Sequence, residues 1–464
     1  MKIDTHKDAI RYLESLIPDP KKVRHGNLRL ERIEHLLKLI GNPHESFESV
    51  HIGGTAGKGS TAHITAALLK ETGYKVGLHV SPHIEKINER IQANGHIITD
   101  KELVKLTRWL KPYVEQVGKE GKHGTPSYFE AIVALAFEYF KRKKVDIAVV
   151  EVGLGGTLDA TNVLQPLVAI ITNVHLDHTH ILGNTVEKIA RDKTGIIKKG
   201  THIITAATQK SVLEIIKARC KAKNTASLTI VECLNFHSYE KKLRHPSRRQ
   251  VRYVVTKNDL HGIEIDIHTP KNTYKKIRTT LLGAHQAPNI ACAIAMTEAL
   301  HEAGFTITER VIRKALKTVN IPARLELILS RFNLDRKIIL DGAHNPVKMR
   351  ALARALKSIF PKQKIIFIFA VKKTKDVKKM LKAITPIAKH IILTQFRKTT
   401  DYGTNASLSV NTLAKYMNAG HPYITKRTSH EALKYARKTA HKDDIICITG
   451  SLYLVGEVRS IIEK

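Results

Sequence analysis

The sequence predicts an α/β fold with two domains, and three observations support this. Short β-branched runs alternate with stretches of helical period, as in SVHIGG, YKVGLHV, VDIAVVEVGLGG, PLVAIITNV and THIITAA. Near-continuous apolar strands between helices are typical of a parallel sheet covered on both faces. A second series of runs begins beyond Pro322, with DRKIILDGA, QKIIFIFAV, KHIILTQF, PYITK and DDIICITGS. The chain of 464 residues also exceeds the usual size of one hydrophobic core.

The boundaries follow from where these two series start and stop. We expect a first domain over residues 1–304, a linker over 305–322 and a second domain over 323–464. Polar and apolar residues alternate between 225 and 282, which indicates a small antiparallel insertion. The next stretch, APNIACAIAMTEALHEAG, predicts a helix that stops at Gly304. A cleft between the two sheets is the expected ligand site.

Composition is that of an ordinary globular protein, with 42% hydrophobic and 26% charged residues. No apolar run approaches the roughly 18 residues of a membrane span. The N-terminal stretch MKIDTHKDAIRYLESL has the pattern of an amphipathic helix and not of a signal peptide, so we expect a cytoplasmic protein with no membrane partner. The four cysteines show no C-x-x-C spacing, which predicts buried, reduced thiols.

The net charge of +35, from 77 Lys plus Arg against 42 Asp plus Glu, favours an anionic partner. The basic residues are spread along the whole chain, with modest clusters such as KKLRHPSRR at 241–249, and aromatic residues make up only 5%. A nucleic-acid site usually combines a basic stripe with stacking aromatic side chains, so we do not expect nucleic acid as the partner. An anionic small substrate or a generally basic proteome explains the charge equally well.

The stretch GGTAGKGS, residues 53–60, is similar to a phosphate-binding loop but departs from the common spacing. Gly59 follows Lys58 where that pattern has Ser or Thr. Backbone amides at the start of a helix bind anions, and Lys58 can neutralise phosphate charge. The hydroxyl of Ser60 can bind a magnesium ion that bridges phosphates. The alternative is a tight strand-to-helix turn without a ligand.

Several other predicted strand ends also carry polar groups. Each group alone would pass as an ordinary surface feature, but open α/β sheets bind their ligands at the carboxyl ends of the strands. Together they therefore indicate a site at this edge. The polar groups are Ser81, Glu151, the cluster His175, Asp177, His178 and His180, and the group Asp341, His344 and Asn345.

Taken in order, these motifs resemble the folylpolyglutamate synthase and dihydrofolate synthase family, within the Mur-type ATP-dependent amide ligases. The similar stretches cover nearly the whole chain and include GTAGKGS, SPHIEKINERI, PSYFEAIVALAF, EVGLGGTLDATNV, LDHTHILGNTVEKIARDKTGIIK, GAHQAPNIACAIA, IPARLE, LDGAHNP and TGSLYLVGEV. The resemblance implies an N-terminal P-loop-type ATPase domain and a C-terminal Rossmann-like domain. ATP would phosphorylate a substrate carboxylate, and the amine of L-glutamate would attack the acyl phosphate to give an amide.

The resemblance also implies roles for individual residues and the cofactors ATP and Mg²⁺. The nucleotide would be held by Gly57, Lys58, Gly59, Ser60, Asn289, Arg324 and Asp341. Magnesium would be bound by Ser60, Ser81, Glu151 and His178, and the catalytic residues would be Lys58, Lys193 and His344, with Lys193 as a carbamate. The dihydropteroate ring would lie against Pro126, Ser127, Tyr128 and Phe129, with Leu158, Asp159 and Ala160. The implied substrates are a folate or dihydropteroate and L-glutamate, and the implied state is a monomer.

Three positions depart from the family's pattern, and two alternative functions stay open. Ala56 stands where Asn is usual, Thr157 where Arg or Asp is common, and Ala323 where Gly usually precedes the arginine. One alternative is a Mur-type ligase that acts on another carboxylate, and PSYFEA and GGTLDATNV favour folate over it. The other is a non-catalytic, basic nucleic-acid-binding protein. Retention of the site residues argues against a ligase that has lost its activity.

Overall fold

The structure is a computed structural model that describes residues 1–18, 29–234, 250–328, 337–397, 407–417 and 420–462. The basic cluster at 241–249 lies outside the described residues. Contacts divide the chain into two compact units. The first comprises Met1–Thr256, Glu264–Arg278 and Gln286–Val319, and the second comprises Lys257–Ile263, Thr279–His285 and Asn320–Lys464.

The first unit is built on a sheet of eleven strands in the described part of the chain, with the order β11-β10-β9-β8-β7-β6-β1-β5-β2-β3-β4. Neighbouring strands from β9 through β1 to β2 run parallel, whereas β3 and β4 add an antiparallel edge. The strands are β1 (Glu48–Gly53), β2 (Val76–His79), β3 (Ile91–Ala93), β4 (His96–Ile97), β5 (Ile147–Glu151), β6 (Val168–Ile171), β7 (His202–Thr205), β8 (Ser227–Cys233), β9 (Gln250–Asp259), β10 (Gly262–His268) and β11 (Thr273–Thr279).

The five apolar runs predicted for this half of the chain are all strands, namely β1, β2, β5, β6 and β7. Each is buried over almost its whole length, because helices cover a parallel sheet on both faces. β1 lies in the middle of the sheet, between β5 and β6. The segment 225–282, predicted as a small antiparallel insertion, gives β8 to β11, which extend this same sheet. The prediction was wrong for β8, which pairs in parallel with both β7 and β9. β9 and β10 are joined by a two-residue turn, a connection that requires antiparallel strands.

Ten helices surround this sheet in the described residues. Several begin at capping boxes, as at Thr5 with Asp8 and at Ser127 with Glu130. They are α1 (His6–Ser15), α2 (Glu31–Leu39), α3 (Lys58–Glu71), α4 (Asp100–Glu120), α5 (Tyr128–Arg142), α6 (Thr179–Leu182), α7 (Val186–Lys193), α8 (Lys210–Lys223), α9 (Ala287–His301) and α10 (Glu309–Thr318).

The helices α9 and α10 lie where the first domain was predicted to end and the linker to begin. α9 ends at His301, and the chain turns at Gly304, whose φ of +89° suits glycine. α10 occupies most of the range 305–322 and belongs to the first compact unit. The bounds of the functional domains, 1–304 and 323–464, stay a prediction.

The second unit has a six-stranded sheet in its described part, with the order β12-β13-β17-β14-β15-β16. Only β12 runs antiparallel to its neighbour, and the five predicted strands of this half are all present. The strands are β12 (Glu326–Ile328), β13 (Lys337–Leu340), β14 (Ile365–Phe369), β15 (Ala388–Leu393), β16 (Tyr423–Thr425) and β17 (Ile445–Thr449). The helices are α11 (Pro346–Ile359), α12 (Val377–Ile384), α13 (Val410–Ala414), α14 (Ser429–Thr439) and α15 (Leu452–Ile462).

Two further features concern the burial of the cysteines and the length and polarity of the helices. All four thiols are free, and Cys220, Cys292 and Cys447 are buried as predicted. Cys233 is exposed, so the prediction was wrong for this residue, which lies at the last position of β8. In the described ranges, no helix is both long and apolar enough to cross a membrane.

Two histidines are buried in the middle of the first sheet. His51 on β1 and His79 on β2 both lie opposite Val150 of β5, which runs between them. Burial is the main cause that lowers the pKa of each imidazole to about 3. Both side chains are therefore neutral at physiological pH.

We expect these histidines to make the protein sensitive to acid. Below about pH 6.5 the unfolded chain binds protons that the folded His51 and His79 do not bind until about pH 3. Their contribution to stability is complete above that window and is lost as pH falls through it, by about 1.4 kcal/mol per pH unit for each histidine. Urea unfolding at a series of pH values measures this slope.

The variant His79→Asn keeps a side-chain donor but no longer titrates in this window. It should therefore show a smaller loss of unfolding free energy on acidification than the parent. His301→Asn, at the exposed end of α9, should keep the parental slope. An unchanged slope in His79→Asn would contradict the assignment.

Candidate functional site

The loop after β1 is shaped by two glycines in the left-handed region, Gly54 with a φ of +137° and Gly57 with a φ of +84°. A Cβ atom at Gly54 would collide with Oγ1 of Thr172, and one at Gly57 would collide with Oδ1 of Asn289. Both positions therefore exclude a side chain by conformation and by space. Helix α3 begins directly after the loop at Lys58.

A second segment holds the main chain of this loop. The amide of Asn173 donates to the carbonyl oxygen of Ala56 and accepts from the backbone N–H of Ala56, both at 2.9 Å. The hydroxyl of Thr172 donates to the same carbonyl oxygen at 2.7 Å. Thr55 accepts from the backbone N–H of His175 at 3.0 Å. Sequence reasoning missed Thr172 and Asn173, although a polar pair directly after β6 was the available signal.

These contacts show how the main chain is held at the departure Ala56. The side-chain amide that is usual at position 56 is missing, yet the backbone of Ala56 is bound by the amide of Asn173. The N-cap of α3 is Gly57, which has no side chain to occupy the first amides of the helix. These amides, the helix dipole and Lys58 form an arrangement suited to a phosphate group.

Asn289 reaches the same loop from α9. Its Oδ1 lies against Gly57 and accepts from the hydroxyl of Thr61 at 3.4 Å, and its Nδ2 donates to Gln286 at 2.9 Å. The structure thus brings Asn289 beside Gly57 although more than 200 residues separate them in sequence.

A carboxylate and two serines meet next to this loop. Glu151 at the end of β5 is buried and accepts from the backbone N–H of Ser81 at 3.0 Å. A Cβ atom at Gly59 would lie 3.3 Å from Oε2 of Glu151, which places the carboxylate beside the start of α3 and the buried Ser60. Carboxylate and hydroxyl oxygens are hard donors of the kind that Mg²⁺ binds together with phosphates and water. The residues therefore fit a magnesium ion.

The fourth predicted metal ligand, His178, lies at the start of α6 with a φ of +48°. Its backbone N–H donates to Asp177 at 3.0 Å, and its ring lies 6.3 Å from that of His180. Among the described residues, no group of three or more His, Cys, Asp and Glu side chains could hold a metal. A magnesium site here would depend on hydroxyls, phosphates and water, and the role of His178 stays a prediction.

Lys193 is a buried lysine at the end of α7 that reaches the glycine loop. Its Nζ donates to the carbonyl oxygen of Gly54 at 2.9 Å. Burial, followed by the positive charge of Lys58, lowers the pKa of Lys193 to about 7, against the opposing effect of Asp192 and Asp177. A lysine with this pKa is partly an unprotonated amine at neutral pH, which is the form that reacts as a nucleophile.

A second group of predicted residues meets around Gly153. A Cβ atom at Gly153 would lie 3.1 Å from Oδ2 of Asp159 and would overlap the ring of Phe129. Asp159 is buried, and burial raises its pKa although hydrogen bonds from Thr161 and Leu154 lower it. Tyr128 and Pro126 are buried, whereas Phe129 and Leu158 are partly exposed.

Ser127 and Thr157 make structural contacts in these two segments. Ser127 accepts from the N–H of Glu130 in the capping box of α5, and Glu130 also pairs with Arg32 at 2.7 Å. Thr157, the second departure, donates its hydroxyl to the carbonyl oxygen of Asp192 at 2.8 Å. The threonine therefore ties the segment that carries Asp159 to the end of the helix that carries Lys193.

In the second unit, Asp341 follows β13 and is buried. It accepts from the backbone N–H groups of Leu325 and Ala343, both at 2.9 Å. Burial raises its pKa, and the charge of Arg324 acts in the opposite direction. Ala323 has a φ of +56°, a conformation that favours glycine, which explains why glycine is usual at this third departure.

His344 lies close to Asp341 in sequence, just before the start of α11. Its Nδ1 donates to the carbonyl oxygen of Gly342 at 2.8 Å, and its Nε2 accepts from Lys348 at 3.2 Å. Desolvation, with Lys348 and Lys375 nearby, lowers the pKa of His344 well below its usual value. The imidazole is thus neutral. Asn345, its neighbour, caps α11 by accepting from the N–H of Lys348.

Comparison with known proteins places these features in context. The Mur ligase middle domain family matches residues 52–297, and the family described as dihydrofolate synthetase, C-terminal domain, matches 325–461. The dihydrofolate synthase/folylpolyglutamate synthase of Bacillus subtilis is 34% identical over 95% of this chain and 98% of its own. Folylpolyglutamate synthase from Thermotoga maritima has a TM-score of 0.81 and 30% identity, covering 99% of this chain and 97% of its own. The Mycobacterium tuberculosis folylpolyglutamate synthase complexed with ADP has a TM-score of 0.83 and 27% identity, covering 99% and 98%.

The two glycine positions at the ends of α3 allow a test of the loop. Gly57→Ala should weaken ADP binding at least tenfold, because the new methyl group would displace Asn289 and the loop backbone. Gly73→Ala is the matched control, since Gly73 has a φ of +100° but no atom within 4 Å of the added Cβ. Each variant should lose about 1 kcal/mol of stability from the left-handed conformation, and Gly57→Ala should lose more because its methyl group also displaces Asn289.

Isothermal titration with ADP and thermal unfolding measure the two effects separately. Equal ADP affinities for Gly57→Ala and Gly73→Ala would show that the loop is not the nucleotide site.

Proposed function

Because the chain belongs to the folylpolyglutamate synthase and dihydrofolate synthase family of Mur ligases, we propose that it is an ATP-dependent ligase that joins L-glutamate to folates. Both the family matches and the relative of 34% identity span most of the chain. The observation that carries the proposal is the glycine loop at the start of α3, with Lys58, Ser60 and Glu151 around it.

The residues of the first unit suit phosphoryl transfer to a carboxylate. This reaction needs alignment and neutralisation of charge more than covalent help from the protein. The amides of Gly57 to Ser60 and the ammonium group of Lys58 would hold the phosphates of ATP, with Asn289 beside them. Magnesium, bound by Ser60, Ser81 and Glu151, with His178 as the fourth proposed ligand, would screen the phosphate charge.

In the second unit, Arg324 and Asp341 are the proposed nucleotide contacts and His344 a proposed catalytic residue.

The acceptor is proposed to be a folate or dihydropteroate, with its ring against Pro126–Phe129 and Leu158–Ala160. The support for this is that Phe129 and Asp159, from distant segments, meet at Gly153. The amine of L-glutamate would then attack the acyl phosphate, releasing phosphate and forming the amide. L-Glutamate as second substrate, a cytoplasmic location and a monomeric state are parts of the proposal that rest on the sequence.

An activity assay tests the proposal directly. Purified protein with ATP, Mg²⁺ and L-glutamate should release ADP and phosphate only when tetrahydrofolate or dihydropteroate is added. Product mass for each acceptor distinguishes polyglutamylation from dihydrofolate synthesis. Lys58→Ala should lower turnover at least about 100-fold, because a phosphate-binding charge is lost. Lys70→Ala, at the other end of α3, should retain parental turnover.

Other outcomes point to the alternative functions. ADP release with a different carboxylate, and not with either pterin acceptor, would favour a Mur-type ligase of other specificity. Absence of turnover together with binding to DNA or RNA that weakens steeply with salt would favour a nucleic-acid-binding protein. Retained turnover in Lys58→Ala would refute the placement of the phosphate site.

Lys193 is proposed to act as a carbamate, formed by attack of its neutral amine on CO₂. The pKa of about 7 makes this amine available, and the charge of Lys58 would attract the resulting anion. With ¹³C-labelled bicarbonate, a carbamate signal in the NMR spectrum should grow as pH rises through about 7. The signal should be absent from Lys193→Met and should require a higher pH in Lys58→Ala. A parental spectrum without this signal at any pH would refute the carbamate.

A further inference from the structure

Asp159 is part of a chain of buried hydrogen bonds that extends down into the central sheet. Its Oδ1 accepts from the hydroxyl of Thr161 at 2.5 Å and from the backbone N–H of the same residue at 3.0 Å. Its Oδ2 accepts from the backbone N–H of Leu154 at 2.8 Å. The Thr161 hydroxyl also lies 2.8 Å from Nε2 of His51 on β1.

The direction of each bond in this chain is determined by chemistry. A carboxylate can only accept, so the single proton of the Thr161 hydroxyl is committed to Asp159. The hydroxyl oxygen must then accept from His51, which fixes the imidazole as the tautomer with its proton on Nε2. His51 and Thr161 are completely buried, so water does not compete for these bonds.

β1 is the strand that leads directly into the glycine loop, yet His51 contacts Thr161, which follows the predicted acceptor segment 158–160. The imidazole therefore connects the central strand with the segment 158–160, which is proposed to bind the acceptor ring. An apolar side chain at position 51 would fill the same volume but would leave the Thr161 hydroxyl without its donor. Such a hydroxyl can turn away from Asp159 and release the carboxylate.

We propose that His51 is a positioning residue for the acceptor, acting through Thr161 to fix the Asp159 carboxylate where it meets the ring of the folate or pteroate. The inference rests on the proposed function and adds to it a residue outside the ring's own surroundings. His51 does not touch the acceptor, and the strength of its effect is set by the hydrogen bond that it donates.

The test compares variants at position 51 with a packing control. His51→Leu should raise the KM for the pterin acceptor about tenfold, while the KM for ATP stays within about twofold. His51→Gln, which can still donate from its terminal amide, should recover most of the affinity. Val150→Ala removes buried packing between His51 and His79 and should leave the KM for the acceptor unchanged.

A double-mutant cycle separates this chain of bonds from general destabilisation. Thr161→Val should also raise the acceptor KM, and the double variant with His51→Leu should show little further effect, because both substitutions break the same path. Any of three results would overturn the proposal. The effects of the two substitutions could be additive, the KM values for ATP and acceptor could change equally, or Val150→Ala could change the acceptor KM as much as His51→Leu does.

An NMR measurement, which needs no turnover, tests the role of His51 separately from the proposed function. The ¹³C resonance of the Asp159 carboxyl group should move in His51→Leu and stay in place in Val150→Ala. If the parent uses neither folate nor dihydropteroate, the proposed function fails, while this spectroscopic result still decides whether His51 fixes the Asp159 carboxylate. An Asp159 resonance that is the same in His51→Leu and in the parent overturns the positioning role.

Discussion

The site of the first unit depends on one constraint. Gly54 packs closely against Thr172, and Gly57 packs closely against Asn289. These glycines adopt a left-handed backbone where neighbouring polar atoms leave no room for a Cβ atom. The close approach directs the main chain from β1 into α3 and brings Lys58 and Ser60 to the start of that helix. The amide of Asn173 then fixes the loop at Ala56, so the proposed phosphate site is held by hydrogen bonds of the protein itself.

Around this loop, burial and specific hydrogen bonds set the environment of several polar groups. Glu151 is anchored by the backbone of Ser81, whereas Lys193 has its pKa lowered to about 7 by burial and by Lys58. The neutral His51 supports Asp159 through Thr161. Low polarity makes each of these interactions stronger than it would be in water, and it makes an unpaired partner costly. Chemical function and local stability therefore depend on the same hydrogen bonds.

The strands were predictable because their signal is local. Runs such as IAVVE and IIFIF are short, almost wholly apolar and rich in β-branched or aromatic residues, which is typical of a strand buried on both faces. The pairing of strands, by contrast, depends on residues far apart in the sequence. The strands at 225–282 were expected as a small antiparallel insertion, but β8 and β9 pair in parallel and extend the main sheet. Pairing partners of this kind depend on distant segments, which a sequence pattern does not specify.

By itself, the sequence determined the strand-loop-helix segment at 48–71, the set of polar strand ends and the family resemblance, since residue type and spacing carry this information. The tertiary structure alone decided which groups meet. Asn289 lies at Gly57, Lys193 reaches the carbonyl of Gly54, and Asn173 holds the backbone of Ala56. The physical reason is that these bonds form between strands and helices more than 100 residues apart, where only the packing of the sheet fixes distance and direction.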